Sequence, residues 1–581
     1  MKSVCAALLL LAAGIASLSL VDYGSLKGSL DSLAPDNNAE QFTEDFYASF
    51  VTLLRGYALA FIALSTGLFL NRDRLRNYSP RSTTSRLIEE FRNFHRNTTC
   101  PHKLVFITIV GVGFVVRLLC IDQPMRSDES WTYLNYVSRN VFHILADYHS
   151  PNNHVLHSLL AHAAITLFGD SPIVLRLPAL IAGVVSMPVA YWYVFRLSNR
   201  DAALIAMALI ACWPMLIDYS VNARGYSIVV LFTLIILLAA DTIRENGRLS
   251  GFLAFGLTSI LGLYAVPSFA LSILTAGLWV LLLASRNQVA LPLHILLNRL
   301  TFTALGSFAI TTCLYLPILV GTGINELFRN DVVTGVGFDF GGIRAGVFSI
   351  WDDWHQGIPL FFQLTLGGGF LSFLVMREWR YQSLWFALAA SATLVCVVQR
   401  TLGPERIWIF VLPLFLGCAA IGLTNLLQIK QRAGVANLTA AIIPIMLFGQ
   451  FAAKGTYNLY QEFGSFPAAR EIVEYLNNEI GPNDNLFTSF PANRPIAYYD
   501  RQLNQKPRIV QHLARVCPPL SQRSFVVTPH QNSVDQTLRW HDQIRGTTCA
   551  DRLYKVLYTK NFENASVVTI EFQSPSSKPK I

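Results

Sequence analysis

Along this chain long apolar runs alternate with short polar joints. Runs such as "ALAFIALSTGLFL" (58–70), "LVFITIVGVGFVVRLLC" (104–120) and "SIVVLFTLIILLAA" (227–240) contain almost no charge. They approach the roughly 20 residues an α-helix needs to cross a hydrocarbon core. The pattern predicts a polytopic α-helical membrane protein of about 13 spans, or about 12 if the opening "MKSVCAALLLLAAGIASLSL" is a cleaved signal peptide rather than a first span. A soluble protein with greasy helices has no use for about a dozen such runs in series.

The joints give the orientation. Residues 71–103 carry Arg72, Arg74, Arg76, Arg81, Arg86, Arg92, Arg96 and Lys103, and are expected in the cytoplasm. The joints "RLSNRD" (196–201), "DTIRENGR" (241–248), 285–300, "REWR" (377–380) and "QIKQR" (428–432) are short and basic too, and fall on the same side. The acidic stretch 22–45, "IDQPMRSDESW", "DYSVNARGY" (218–226), 321–356 and "QRTLGPERIW" (399–408) then lie outside. So does everything after about residue 453, where composition changes. There "FPAAREIVEYLNNEI" has helical periodicity, "GPNDN" is a turn, and "NLFTSF" and "RSFVVTP" read as strands of a small α/β domain. The expected organisation is 1–100, extra N-terminal spans and a basic loop; 101–453, a membrane module; and 454–581, an extracytoplasmic domain.

One stretch breaks the rhythm. From Trp131 to Gly169 the chain is only moderately apolar, with His143, His149, His154, His157 and His162 interspersed, and Trp131, Leu134, Val137 and Val141 at roughly helical spacing. Such a segment suits helices lying in the outer interface and roofing a cavity.

Composition narrows the function. Only 14% of the 581 residues are charged, and the net charge of +9 sits in the short loops, which assigns it to topology and not to nucleic acid. The nine cysteines form no Cys-x-x-Cys pair. Cys517 and Cys549 are the two in the outer domain, and an oxidising compartment would join them.

Beside the roofing segment stands Asp128-Glu129. Adjacent carboxylates at a membrane rim are hydrated loop acids, a general base, or ligands of a cation. Arg224 and Tyr226 in "NARGYS" and Arg406 in "PERIWIFVLPLF" fall on the same expected side. An interfacial arginine snorkels to headgroups or holds a phosphate in its planar fork. A base with phosphate-holding arginines under interfacial helices suggests group transfer from a lipid phosphate. The histidines 149, 154, 157 and 162 offer a divalent-metal alternative, though an isolated His-x-x-His is more often packing. "WDDWH" (351–355) offers Asp352 and Asp353, more simply read as an aromatic-belt anchor.

From about residue 104 to 500 the chain resembles the GT-C glycosyltransferases, specifically the family 39 relatives of protein mannosyltransferases and aminoarabinose transferases. The resemblance lies in the order of "SDESWT", "NNHVLHSLLAHAAITLFGDSPIVLRLPALIAGV", "YSVNARGYS", "PERIWIFVLPLF" and "FPAAREIVEYLNNEIGPNDNLFT". It implies a GT-C fold, with Asp128 as catalytic base and Glu129 beside it in the acceptor site. It also implies Arg224, Tyr226 and Arg406 as donor-phosphate or pocket residues. Many relatives have His-Pro-Pro where this chain reads "HSPNNH"; a subset with Asn-Asn-His adds Asn153 and His154 to the donor site. Common members place an acid where Asn222 stands, and residues 1–100 lie outside the resemblance.

The implied partners are a polyprenyl-phosphate sugar donor, an acceptor glycan, lipid or protein, and membrane lipids, at a plasma or inner membrane. No cofactor, metal or nucleic acid is called for. A transporter or flippase is the competing class. It would place its charges at mid-membrane in an inverted repeat, and no repeat is visible. A membrane scaffold would have no use for the acid pair.

Overall fold

The computed structural model describes residues 2–33, 42–70, 96, 98–322, 340–400, 402–427, 434–454, 464–504, 507–529 and 532–573. Most of the basic segment 71–103, the joint "QIKQR" and residues 323–339 of the outer segment lie outside the described residues.

Apolar runs become helices because every backbone N–H and C=O in hydrocarbon must be satisfied within its own segment. Eight described helices are long and apolar enough to cross a membrane, and counting each of three bent pairs as one span makes 11. The sequence suggests about 13. Three further apolar helices, Val155–Phe168, Leu249–Ala265 and Val435–Leu447, are shorter than these.

One bent pair is Arg200–Cys212 with Pro214–Ser220, which meet at 61°. Pro214 has no N–H, so the carbonyl of Ile210 loses its helical donor. The buried Arg117 fills the gap: its guanidinium donates to the carbonyls of Ala211 at 2.8 Å, Ile210 at 3.5 Å and Gly113 at 2.9 Å. The helix break is thus capped from inside the protein. Elsewhere, helices Leu360–Val375 and Leu412–Leu426 approach so closely that a Cβ on Gly422 would lie 1.8 Å from the Gly369 carbonyl oxygen.

The chain divides into two compact units. The first comprises Met1–Arg117, Phe142–Leu160 and Pro178–Thr456. Its core is centred on helices Arg200–Cys212 and Leu412–Leu426, in both of which nearly every residue is buried.

The second unit joins the C-terminal Tyr457–Ile581 to two earlier segments, Leu118–Val141 and Ala161–Leu177. Its four strands are β1 (Asn485–Thr488), β2 (Arg523–Pro529), β3 (Tyr554–Phe562) and β4 (Ala565–Phe572), in the order β1-β2-β4-β3. β1 and β2 run parallel, with Phe487 opposite Val526; the other pairs are antiparallel, with Val526 opposite Val568. Helix Ala469–Glu479 buries Ala469, Ile472, Val473 and Leu476, the period of an amphipathic helix. Cys517 and Cys549 are joined, their Cα atoms 5.4 Å apart. The expected helix and both expected strands are present, accompanied by helices Asn493–Leu503 and Val534–Arg545 and the β3–β4 hairpin.

Candidate active site

Asp128 and Glu129 open a short helix, Ser127–Thr132, in the second unit. The strand-like stretch before it is tied down: Arg126 bridges to Ser465, and the Ser127 N–H donates to the Gly464 carbonyl at 3.0 Å. Glu129 turns inward and is fully buried. Its carboxylate takes both prongs of the Arg176 guanidinium, at 2.8 and 2.7 Å, and accepts from the Arg126 N–H at 3.1 Å. Arg176 is equally buried and also donates to the carbonyls of Ile121 (2.6 Å) and Gln123 (2.8 Å). A buried pair of this kind holds because the fork is bidentate and the remaining donors are used. Asp128, one residue earlier, faces out with its side chain 34% exposed.

Helix Asn493–Leu503 is seated against this turn. Arg494 approaches the Asp128 carboxylate at 3.6 Å and lies over the Trp131 ring at 4.2 Å. Tyr498 meets Tyr133 edge-on at 4.9 Å, and the Tyr499 hydroxyl accepts from the Met125 N–H at 3.3 Å. The Tyr133 hydroxyl donates to Asp170. Burial, and then the bond to anionic Asp170, push the Tyr133 phenol well above its ordinary range.

Four of the five expected donor-site residues come together in the first unit. Asn153 staples its own loop, donating to the carbonyls of Ile144 (2.9 Å) and Asp147 (2.8 Å) and accepting from Ser158 at 3.1 Å. That fixes His154. The Gly225 N–H donates to His154 Nδ1 at 2.7 Å, so a neutral ring carries its proton on Nε2. A Cβ at Gly225 would crowd this contact, standing 3.0 Å from that nitrogen and 3.2 Å from Val266. Burial, and beside it the charges of Arg224, His157 and Arg406, hold His154 neutral, far below the ordinary imidazole value. Nε2 then lies 3.4 Å from the Arg224 guanidinium. Two N–H donors cannot satisfy each other, and the arrangement suits an oxygen accepting from both. Tyr226 completes the group: its ring packs on His154 at 4.9 Å and its hydroxyl is 3.5 Å from Arg224. Arg406, on the 3-10 turn Glu405–Val411, reaches the group through its charge on His154.

The remaining motifs have other surroundings. His149 pairs with Asp147 at 2.8 Å, and His162 binds the Val137 carbonyl at 2.8 Å. In "WDDWH" the Trp354 carbonyl accepts from Trp213 at 2.7 Å, and Trp351 stacks on His355 at 3.9 Å. Trp351 and Trp354 also line an apolar cavity of about 370 Å³ with Phe370, Trp385 and Phe415. Two residues of the Asp128 turn were not singled out by sequence. Arg176 had a signal, a charge inside the apolar stretch "PIVLRLPALIAGV" that demands a buried acid. Arg494 had none.

Comparison with known proteins shows what fold carries these groups. Across 80% of its length the chain superposes on 97% of ArnT from Cupriavidus metallidurans in the apo state, with a TM-score of 0.50 and 12% identity. The chain has the GT-C fold. The same figures hold for that ArnT bound to undecaprenyl phosphate. The oligosaccharyltransferase AglB from Archaeoglobus fulgidus, solved with an inhibitory peptide and a dolichol-phosphate, lies further away. Its TM-score is 0.47 and its identity 11%, over 82% of this chain and 75% of that one. Residues 151–311 of the chain match the family described as dolichyl-phosphate-mannose-protein mannosyltransferase. That match contains Asn153, His154, Arg224 and Tyr226 and leaves Asp128 and Arg406 outside it. No curated protein matches the sequence.

Proposed function

We propose that this GT-C protein is an inverting glycosyltransferase that moves a monosaccharide from a polyprenyl-phosphate donor to an acceptor on the extracytoplasmic face. The observation that carries the reading is the buried group of His154, Arg224 and Tyr226. It lies within the residues that match a lipid-phosphate-sugar transferase family, and its paired N–H donors suit a phosphate oxygen. The fold is also that of ArnT, which has been solved with undecaprenyl phosphate.

In this reading Asp128 accepts the proton of an acceptor hydroxyl as that oxygen attacks the anomeric carbon. The bond from that carbon to the phosphate oxygen breaks, and polyprenyl phosphate departs with the electron pair. Single displacement inverts the anomeric centre. Arg224 and Arg406 stabilise the added charge on the leaving phosphate, with the His154 Nε2–H as a neutral donor. Glu129 keeps the turn that presents Asp128.

The test uses the purified full chain in detergent with a panel of radiolabelled polyprenyl-phosphate sugars and hydroxyl acceptors. Sugar transfer with release of polyprenyl phosphate is expected for one member. If no donor is cleaved while reconstituted vesicles show labelled lipid crossing between leaflets, the protein is a flippase.

A further inference from the structure

Asp128 is not presented by its own helix alone. The turn behind it is rigid: Glu129 and Arg176 neutralise each other out of contact with solvent, and Arg176 spends further donors on the carbonyls of Ile121 and Gln123. In front of it stands Arg494, brought from the C-terminal part of the chain. Its guanidinium is 3.6 Å from the Asp128 carboxylate and lies 4.2 Å above Trp131, one helical turn further on. Three more contacts fix the helix that carries it. Tyr498 and Tyr499 pack onto Tyr133 and Met125, and Arg501 reaches over the Tyr133 ring at 5.9 Å. At the helix's far end the buried Asp500 carboxylate accepts from the N–H groups of Arg508 (3.1 Å) and Val510 (2.8 Å). Among the described residues of the second unit, the charged groups around Asp128 include Arg126 and Glu129 of its own turn, Arg176 behind them and Arg494 in front. A turn on come Arg501, Asp170 and the phenols of Tyr133, Tyr498 and Tyr499.

We propose that Arg494 is a positioning residue of the transfer reaction, holding the Asp128 carboxylate charged and in one orientation for the acceptor hydroxyl. This rests on the reading of Asp128 as the base. A guanidinium beside a half-exposed carboxylate favours the anion, while the Trp131 face restricts the guanidinium to one plane. The C-terminal part of the chain thereby belongs to the catalytic machinery.

The experiment compares Arg494→Gln, Arg494→Lys and Arg501→Gln in the full-length protein. Two readouts are taken across pH: sugar transfer, and carbodiimide labelling of Asp128 followed by mass spectrometry, which needs no substrate. In Arg494→Gln both the acidic limb of turnover and the labelling midpoint should rise by about one pH unit. Arg494→Lys should recover most of that shift, and Arg501→Gln should leave both in place. An unmoved midpoint in folded Arg494→Gln overturns the proposal, as does an equal shift in Arg501→Gln, which would assign the effect to helix docking. An Asp128→Asn protein that folds and still transfers sugar defeats the base reading itself, whatever Arg494 does.

Discussion

Asp128 and Glu129 are neighbours in sequence with opposite surroundings, and their substitutions should separate accordingly. Asp128→Asn keeps the side chain's size in a half-exposed place, so purified yield and thermal stability should hold while turnover falls by roughly 10²- to 10⁴-fold. Arg176→Met strands the Glu129 carboxylate in a dry interior and should cost about 3–5 kcal/mol in thermal unfolding of the detergent-solubilised protein. Adding Glu129→Gln to Arg176→Met should restore part of that loss, because the stranded charge is gone. Arg224→Ala and Arg406→Ala belong to a third class. Each should weaken binding of polyprenyl phosphate by about 1.5–3 kcal/mol, measured with the lipid phosphate itself, with less effect on the fold.

Elements show how much of this was legible beforehand. The spans were legible because crossing hydrocarbon leaves a compositional mark on about 20 consecutive residues. Their count was less so, because a proline break such as Trp213-Pro214 leaves an apolar run intact while bending the helix by 61°. Asp128, Arg224 and Arg406 stood out as charges bordering apolar runs. Arg176 gave only the signal of a lone charge in an apolar stretch, since the Glu129 it pairs with is 47 residues away, and Arg494 gave none, because its helix has only a short-range pattern of its own. The C-terminal sheet was half legible: buried β2 has an apolar pattern, whereas edge strand β3 is mostly exposed. In that domain two features lock the stretch after helix Val534–Arg545. One is the Cys517–Cys549 disulfide; replacing both cysteines with alanine should cost about 2–4 kcal/mol, seen in thermal unfolding with intact wild type as reference. The other is Asp542. Burial opposes its charge, but bonds from Thr547, Ala550 and Cys549 prevail and hold its carboxyl below the ordinary range. A carboxyl lowered by folding stabilises the fold above its unfolded value, and that contribution is lost as pH falls through the folded one. Asp542→Asn should therefore flatten the acid limb of the domain's stability curve below about pH 4 and leave neutral pH little changed in slope.

For the molecule as a whole, orientation decides whether the proposed chemistry has a substrate. From the charge alternation of the sequence, the basic joints are expected in the cytoplasm and everything after about residue 453 outside. A C-terminal alkaline phosphatase fusion should be active and one at Arg86 inactive. The reverse pattern would move Asp128 to the cytoplasmic side and remove the reading of a donor used on the outer face.

The turn that presents Asp128 is bonded to a tyrosine 374 residues further along the chain, through Met125 and Tyr499. At roughly 5–20 residues per second, a ribosome needs roughly 20–75 s to cover that distance. During that interval the early spans enter the bilayer and the segment around Asp128 waits without the helix that braces it. Nascent chains arrested before residue 493 should therefore show this segment open to protease, and chains extended past residue 510 should show it closed. Insertion of the early spans and bracing of the Asp128 turn are thus separated in time.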